Sequence, residues 1–246
     1  MPAASQRRIG PLECIIVDKS DDASQIEHLV VLCHGYGASC SDLASLSASW
    51  LESLQAEGSR FRFIFPNAPI SLAPMGMPGG FAWWPLNMAR LMEAMEAQSF
   101  EELHSETPPG IQEATDLLGE VVKAAIEELG DAPQTKLTIG GFSQGAMVTM
   151  NGTLMDAWTK PVNLIQFSGT LISEQTWKER AAESLAGVRI YQSHGRIDPI
   201  LPFSGAERLC DLVEEARASI QFHAFDGPHT IDLDSIAHVA EMLCND

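Results

Sequence analysis

The chain contains no run of about 18 uninterrupted apolar residues, so no helix is expected to cross a membrane and no stable membrane insertion is expected. It has no CxxC pair, and its five cysteines (Cys14, Cys33, Cys40, Cys210 and Cys244) are odd in number. That excludes a disulfide framework and a paired-cysteine zinc site, and points to reduced thiols in a cytoplasmic protein. Positive charge is scarce: 15 Lys and Arg stand against 33 Asp and Glu, a formal net charge of −18. Such a field repels phosphate backbones, which argues against nucleic acid as a partner. The amino terminus, MPAASQRRIGPLE, carries two arginines with no apolar run behind them, so no signal peptide is expected. HExxH, GxxxxGK and GxGxxG are all absent, so neither a metal nor a phosphate-bearing cofactor is expected.

What is present is an ordinary globular composition. The 246 residues are 45% hydrophobic and 20% charged. A chain of this size can bury roughly three quarters of its unfolded surface, and one domain spanning 1–246 is expected. Short apolar runs at 12–17, 28–33, 61–65, 135–140, 162–167, 188–193 and 219–225 read as strands. Most lack strict alternation, as strands covered on both faces do. Helical spacing runs through 41–57, 110–130, 144–158, 202–217 and 231–244. Strands alternating with helices predict an α/β fold, a mostly parallel central sheet with helices on both faces. The strand at 12–17 is expected to be antiparallel, joined to the next by the polar turn at 18–27.

Residues 66–110 break the rhythm with Pro66, Pro69, Pro74, Pro78, Pro85, Pro108 and Pro109, together with Trp83, Trp84 and several methionines. A connection this long is often a functional loop, and a lid-like insertion is expected at about 70–110. Met88, Leu91, Met92 and Met95 recur at helical spacing, which predicts a short amphipathic helix. Such a helix either packs on the body or a partner chain, or lines a substrate entrance.

The sharpest chemical signal is Gly141-Phe-Ser143-Gln-Gly145, a G-x-S-x-G match with a strand pattern before the serine and a helix pattern after it. A strand turning tightly into a helix lifts the hydroxyl above the sheet edge, near the helix's positive end. A serine hydroxyl needs a base within hydrogen-bond reach. Of seven histidines, His229 alone sits in a loop after the last strand and just before a helix. Functional loops of open α/β sheets gather at the carboxyl ends of strands, so His229 is the candidate base. Asp198, in the loop after strand 188–193, is the candidate acid that orients the imidazole, with Asp226 as the alternative. The order Ser143, Asp198, His229 is that of an α/β-hydrolase triad. Oxyanion donors are expected from the amide N–H of Gln144 and from Tyr36 in the glycine loop His34-Gly35-Tyr36-Gly37. His34, Trp83, Trp84 and Met88 are candidate substrate contacts.

Six segments carry a resemblance to a known family: Leu32-Cys-His-Gly-Tyr-Gly37, Phe65-Pro-Asn-Ala-Pro69, Ala82-Trp-Trp84, Gly140-Gly-Phe-Ser-Gln-Gly145, His194-Gly-Arg-Ile-Asp198-Pro-Ile-Leu-Pro202 and Gly227-Pro-His229. With these the chain resembles the phospholipase/carboxylesterase family of α/β-hydrolases, which includes the acyl-protein thioesterases. The resemblance implies the triad Ser143, Asp198 and His229, an oxyanion hole of the Tyr36 and Gln144 amides, no cofactor, and often a homodimer. It departs from the family pattern at Ala38, Ala146 and Pro85 and over the longer stretch 86–110, all around the expected entrance. The expected activity is a serine carboxylesterase acting on esters, or thioesters, of short to medium acyl chain. The alternatives are an acyl-protein thioesterase, a lysophospholipase or, more remotely, a hydrolase-fold ligand receptor with little turnover.

Overall fold

The computed structural model describes residues 3–20, 22–87, 89–90, 92–93, 100–130 and 135–245. Eight strands form one sheet: β1 (Ala3–Ile9), β2 (Leu12–Asp18), β3 (His28–Cys33), β4 (Phe61–Pro66), β7 (Lys136–Phe142), β8 (Asn163–Phe167), β9 (Arg189–Gly195) and β10 (Ser219–Phe225). Their spatial order is β1-β2-β4-β3-β7-β8-β9-β10. From β4 to β10 every pairing is parallel, whereas β2 is antiparallel to both β1 and β4. The expected antiparallel strand is therefore there, but its neighbour is β4 and not the strand that follows it in the chain. The crossover from β3 places β4 on the outer side of β3, and β2 takes the edge that β4 leaves open.

Alternate side chains of each strand enter two separate cores, as the pleat requires. Leu29, Val31, Ile139, Leu164 and Ile190 pack with α3 (Ile111–Glu128), α4 (Gln144–Leu154), α5 (Glu174–Ser184) and α6 (Phe203–Glu215). Val30, Leu32, Phe63, Phe65, Phe167 and Tyr191 pack with α1 (Leu46–Ser53) and α7 (Leu233–Cys244). This is an α/β-hydrolase fold.

Two of the longer elements escape the sequence pattern. β1 has mostly exposed side chains and is held by its hydrogen-bond ladder to β2. In α5 only Trp177, Ala181 and Ser184 are buried, so its apolar stripe is too thin to read. The long proline-rich connection is also more ordered than expected. It folds back as a hairpin of β5 (Ile70–Ser71) and β6 (Phe81–Ala82), and Phe81 exchanges backbone hydrogen bonds of 2.8 and 2.9 Å with Ala38 and Gly37. Residues 89–90 and 92–93 are helical, with Met92 57% exposed, while Met88, Leu91 and Met95 lie outside the described residues. A short α2 (Glu101–Ser105) follows, and its His104 ring accepts from Arg208 (2.7 Å) on α6.

The register sets up the site. Cys33 stands beside Gly141, Phe142 beside Phe167, Phe167 beside Ser193, and Phe225 beside Gly195. The carboxyl ends of β3, β7, β8, β9 and β10 thus form one continuous edge.

Candidate active site

Ser143 occupies the turn between β7 and α4 with φ 55° and ψ −117°. A non-glycine residue there stores about 1–3 kcal/mol of strain, held only because its surroundings fix it. The amide of Ser143 donates to Phe167 O (2.9 Å) and its carbonyl accepts from Met147 N (3.1 Å). Gly141 and Gly145 let the new helix cross against β3: a Cβ on either would collide with the Cys33 carbonyl oxygen. The Ser143 hydroxyl makes no hydrogen bond among the described residues and is left half-buried at the edge.

Asp198 follows β9 in a turn that saturates its carboxylate. Oδ1 accepts from the amides of Ile200 (2.8 Å) and Leu201 (2.9 Å), and Oδ2 accepts from His229 Nδ1 (2.6 Å). Burial alone would raise this carboxyl, but the hydrogen bonds from His194 and His229 and the backbone amides outweigh it and hold it well below the usual carboxylate range. An ionised Asp198 can only accept, so His229 Nδ1 carries the proton and Nε2 is the free basic nitrogen. The His229 ring lies 4.7 Å from the ring of Phe142, the residue before Ser143. Gly195 allows the chain to pass directly beneath the carbonyls of Gly227 and Pro228, which brings the His229 loop down onto β9.

The glycine loop closes the site. A Cβ on Gly35 would sit 3.3 Å from Ser143 Cβ, so the missing side chain brings this loop up to the serine. The amide N–H groups of Tyr36 and Gln144 are not taken by any other group among the described residues. The Gln144 side chain is a brace: Oε1 accepts from Trp83 N (2.8 Å) and Nε2 donates to Trp84 O (2.9 Å).

Three expected substrate contacts turn out to be part of that brace. His34, Trp83 and Trp84 are 1%, 1% and 2% exposed. His34 Nδ1 donates to Gly35 O (2.7 Å), its Nε2 accepts from Ala68 N (3.0 Å), and Trp83 Nε1 donates to His34 O (2.9 Å). Their polar atoms hold the glycine loop, and their faces fill the core, so they do not line an open cleft. Met77 beside the glycine loop is 36% exposed, with Sδ 3.9 Å from where a Gly37 Cβ would lie. The fourth expected contact, Met88, lies outside the described residues. Asp226, the alternative acid, faces Arg196 at 3.6 Å on the surface.

Sequence reasoning passed over Ser168, whose Oγ donates to Thr230 O (3.0 Å) beside His229 while its backbone sits at φ 47°. No motif marks such a residue. His223 and Asp232 (2.9 Å) close the base of the His229 loop, and with Asp234 their ligand atoms lie within 4.8 Å of one another. Asp232 is already engaged as the cap of α7, accepting from Ser235 N (3.0 Å). A cavity of about 510 Å³ opens at the opposite edge of the sheet, among Ile26, His28, Leu54, Phe61 and Leu243. It is remote from Ser143.

The sheet order and the strand-to-helix turn define a hydrolase of the α/β-hydrolase fold. The chain belongs to the phospholipase/carboxylesterase family, whose description its residues 13–245 match. It is 29% identical over 187 residues to acyl-protein thioesterase 1 of Eremothecium gossypii, covering 75% of this chain and 72% of that protein. It is 26% identical over 239 residues to acyl-protein thioesterase 1 of Candida albicans, covering 91% and 94%. Among solved structures, esterase PE8 superposes with a TM-score of 0.74 at 24% identity, over 96% of this chain and 98% of that one. A carboxylesterase from Mesorhizobium loti superposes with a TM-score of 0.71 at 15% identity, over 99% of each chain.

Proposed function

We propose that the chain is a cofactor-independent serine carboxylesterase with Ser143 as nucleophile, His229 as base and Asp198 as the orienting acid. The observation that carries this reading is the 2.6 Å bond from His229 Nδ1 to Asp198 Oδ2, which leaves Nε2 basic on the sheet edge that also carries the strained Ser143. Nε2 takes the Ser143 proton as Oγ attacks the ester carbonyl carbon. The amides of Tyr36 and Gln144 donate to the oxyanion. Nε2–H then protonates the leaving alcohol, and water repeats the sequence on the acyl-enzyme. The net charge of −18 disfavours strongly anionic substrates, and the preferred substrate is an uncharged ester of short to medium acyl chain.

The test is a p-nitrophenyl ester series from acetate to palmitate. Rates are expected to peak at butyrate to octanoate and to fall by about 10⁶-fold in Ser143→Ala, which should also lose labelling by a fluorophosphonate. A steady rise to palmitate would overturn the chain-length preference. Unchanged turnover in Ser143→Ala would overturn the nucleophile. Relatives named acyl-protein thioesterase 1 favour a second reading, hydrolysis of an S-acyl bond. Parallel rates on S-octanoyl and O-octanoyl substrates of the same leaving-group size decide between them.

A further inference from the structure

His194 is fully buried near the end of β9 and holds a second imidazole against the same carboxylate oxygen that His229 uses. Its Nε2 is 2.8 Å from Leu201 O and 3.2 Å from Asp198 Oδ2. A carbonyl only accepts, so this nitrogen carries a hydrogen. Its Nδ1 is buried without a hydrogen-bond partner among the described residues. The hydrogen on Nε2 is the one this ring directs toward the Asp198 side. That hydrogen is directed at Leu201 O, and Asp198 Oδ2 lies 3.2 Å from the same nitrogen. Asp198 accepts from three donors, the amides of Ile200 and Leu201 and the ring of His229, and the His194 N–H stands beside the remaining side of Oδ2.

We propose that His194 is a positioning residue for the esterase reaction, fixing the rotation of the Asp198 carboxylate and limiting the negative charge that Oδ2 presents to His229. The proposal rests on the triad reading given above. Fully buried between Leu201 O, Asp198 and the Phe203 ring, His194 acts through Asp198. The ionisable groups facing this carboxylate are His194 from β9 and His229 from the loop before α7. Arg196 and Asp226 lie further out, paired with each other at 3.6 Å, and Arg196 lies over the Phe203 ring of α6. Phe203 also meets His194 edge-on, at 6.2 Å between centroids, so α6 contributes an apolar wall.

Two variants test this. His194→Gln keeps an N–H donor at the reach of Nε2, and His194→Met removes it while filling similar space with an adaptable side chain. With one donor fewer, Oδ2 stabilises the His229 imidazolium more strongly. In His194→Met the acid limb of the kcat/KM profile should therefore move up by about half a pH unit, kcat should fall about tenfold, and KM should stay within about twofold. His194→Gln should restore the position of the limb. A second measurement does not require turnover: the downfield proton resonance of His229 Nδ1–H, recorded in the Ser143→Ala background, should move further downfield with His194→Met and return with His194→Gln. A filler role would lower Tm in both variants and leave limb and resonance in place, and would overturn the proposal; so would a downward shift. A wild-type chain without ester turnover would sink the esterase reading instead, and the resonance would still decide whether His194 shares the carboxylate.

Discussion

Ser143 sits at φ 55° and ψ −117°, a conformation that glycine adopts freely and serine does not. The strain is local, so removing the side chain should release it. Ser143→Gly is expected to be inactive yet more stable than the wild type by about 1 kcal/mol, read from urea unfolding midpoints at an unchanged slope. Equal or lower stability would mean the surrounding hydrogen bonds do not force the angle. At this scale the sequence was most informative where a residue's chemistry is announced by its immediate neighbours. Gly141 and Gly145 flank Ser143, and the tight crossing they permit is a property of the backbone. It was least informative for residues whose partners are distant in the chain. Trp83 and Trp84 read as an apolar wall, but Gln144 draws their backbone into the core from about sixty positions away.

Elements position the reacting groups by close approach. α4 can lie against β3 only because Gly145 has no side chain, and any Cβ there meets the Cys33 carbonyl, which is backbone and cannot swing aside. Gly145→Ala is therefore expected to destabilise the fold by more than about 4 kcal/mol or to prevent soluble expression. A wild-type melting curve for that variant would show that α4 can shift away from the sheet. The sequence pattern located seven of the eight strands of the main sheet, because Val, Ile and Phe runs mark them, the inner ones buried on both faces. It missed β1 and α5, whose stability comes from a ladder and from three buried side chains. The helix expected over 41–57 is shorter, Leu46–Ser53, and tightens into a 3₁₀ segment at Gln55–Arg60 where Gly58 packs on Leu51.

Across the whole molecule, several histidines are buried in neutral form. Burial, with nearby Lys136 and Arg189, pushes His28 down to about 3 from its ordinary 6.5. Burial and Arg208 push His104 down to about 4, and burial also lowers His34. In the unfolded chain these groups bind protons below their ordinary value, and in the folded chain they do not. Stability is thus complete above pH 6.5 and declines as pH falls from there towards 4 and below, with His28 alone contributing up to about 1.4 kcal/mol per pH unit. Asp198 and Asp232, both held low, add their loss only below the ordinary carboxylate value of 3.8. Urea unfolding at pH 7.5, 6 and 5 should show a falling midpoint; a flat series would mean these rings gain partners on protonation.

The sequence by itself determined the class of fold and the tight strand-to-helix turn at Ser143, because hydrophobic spacing and glycine placement act over a few residues. Tertiary structure alone decided that β4 lies between β2 and β3, that His34, Trp83 and Trp84 brace the glycine loop from within, and that the His229 ring reaches Asp198 Oδ2. Those outcomes depend on which distant surfaces exclude water together, and on which buried polar atoms find a partner when they do.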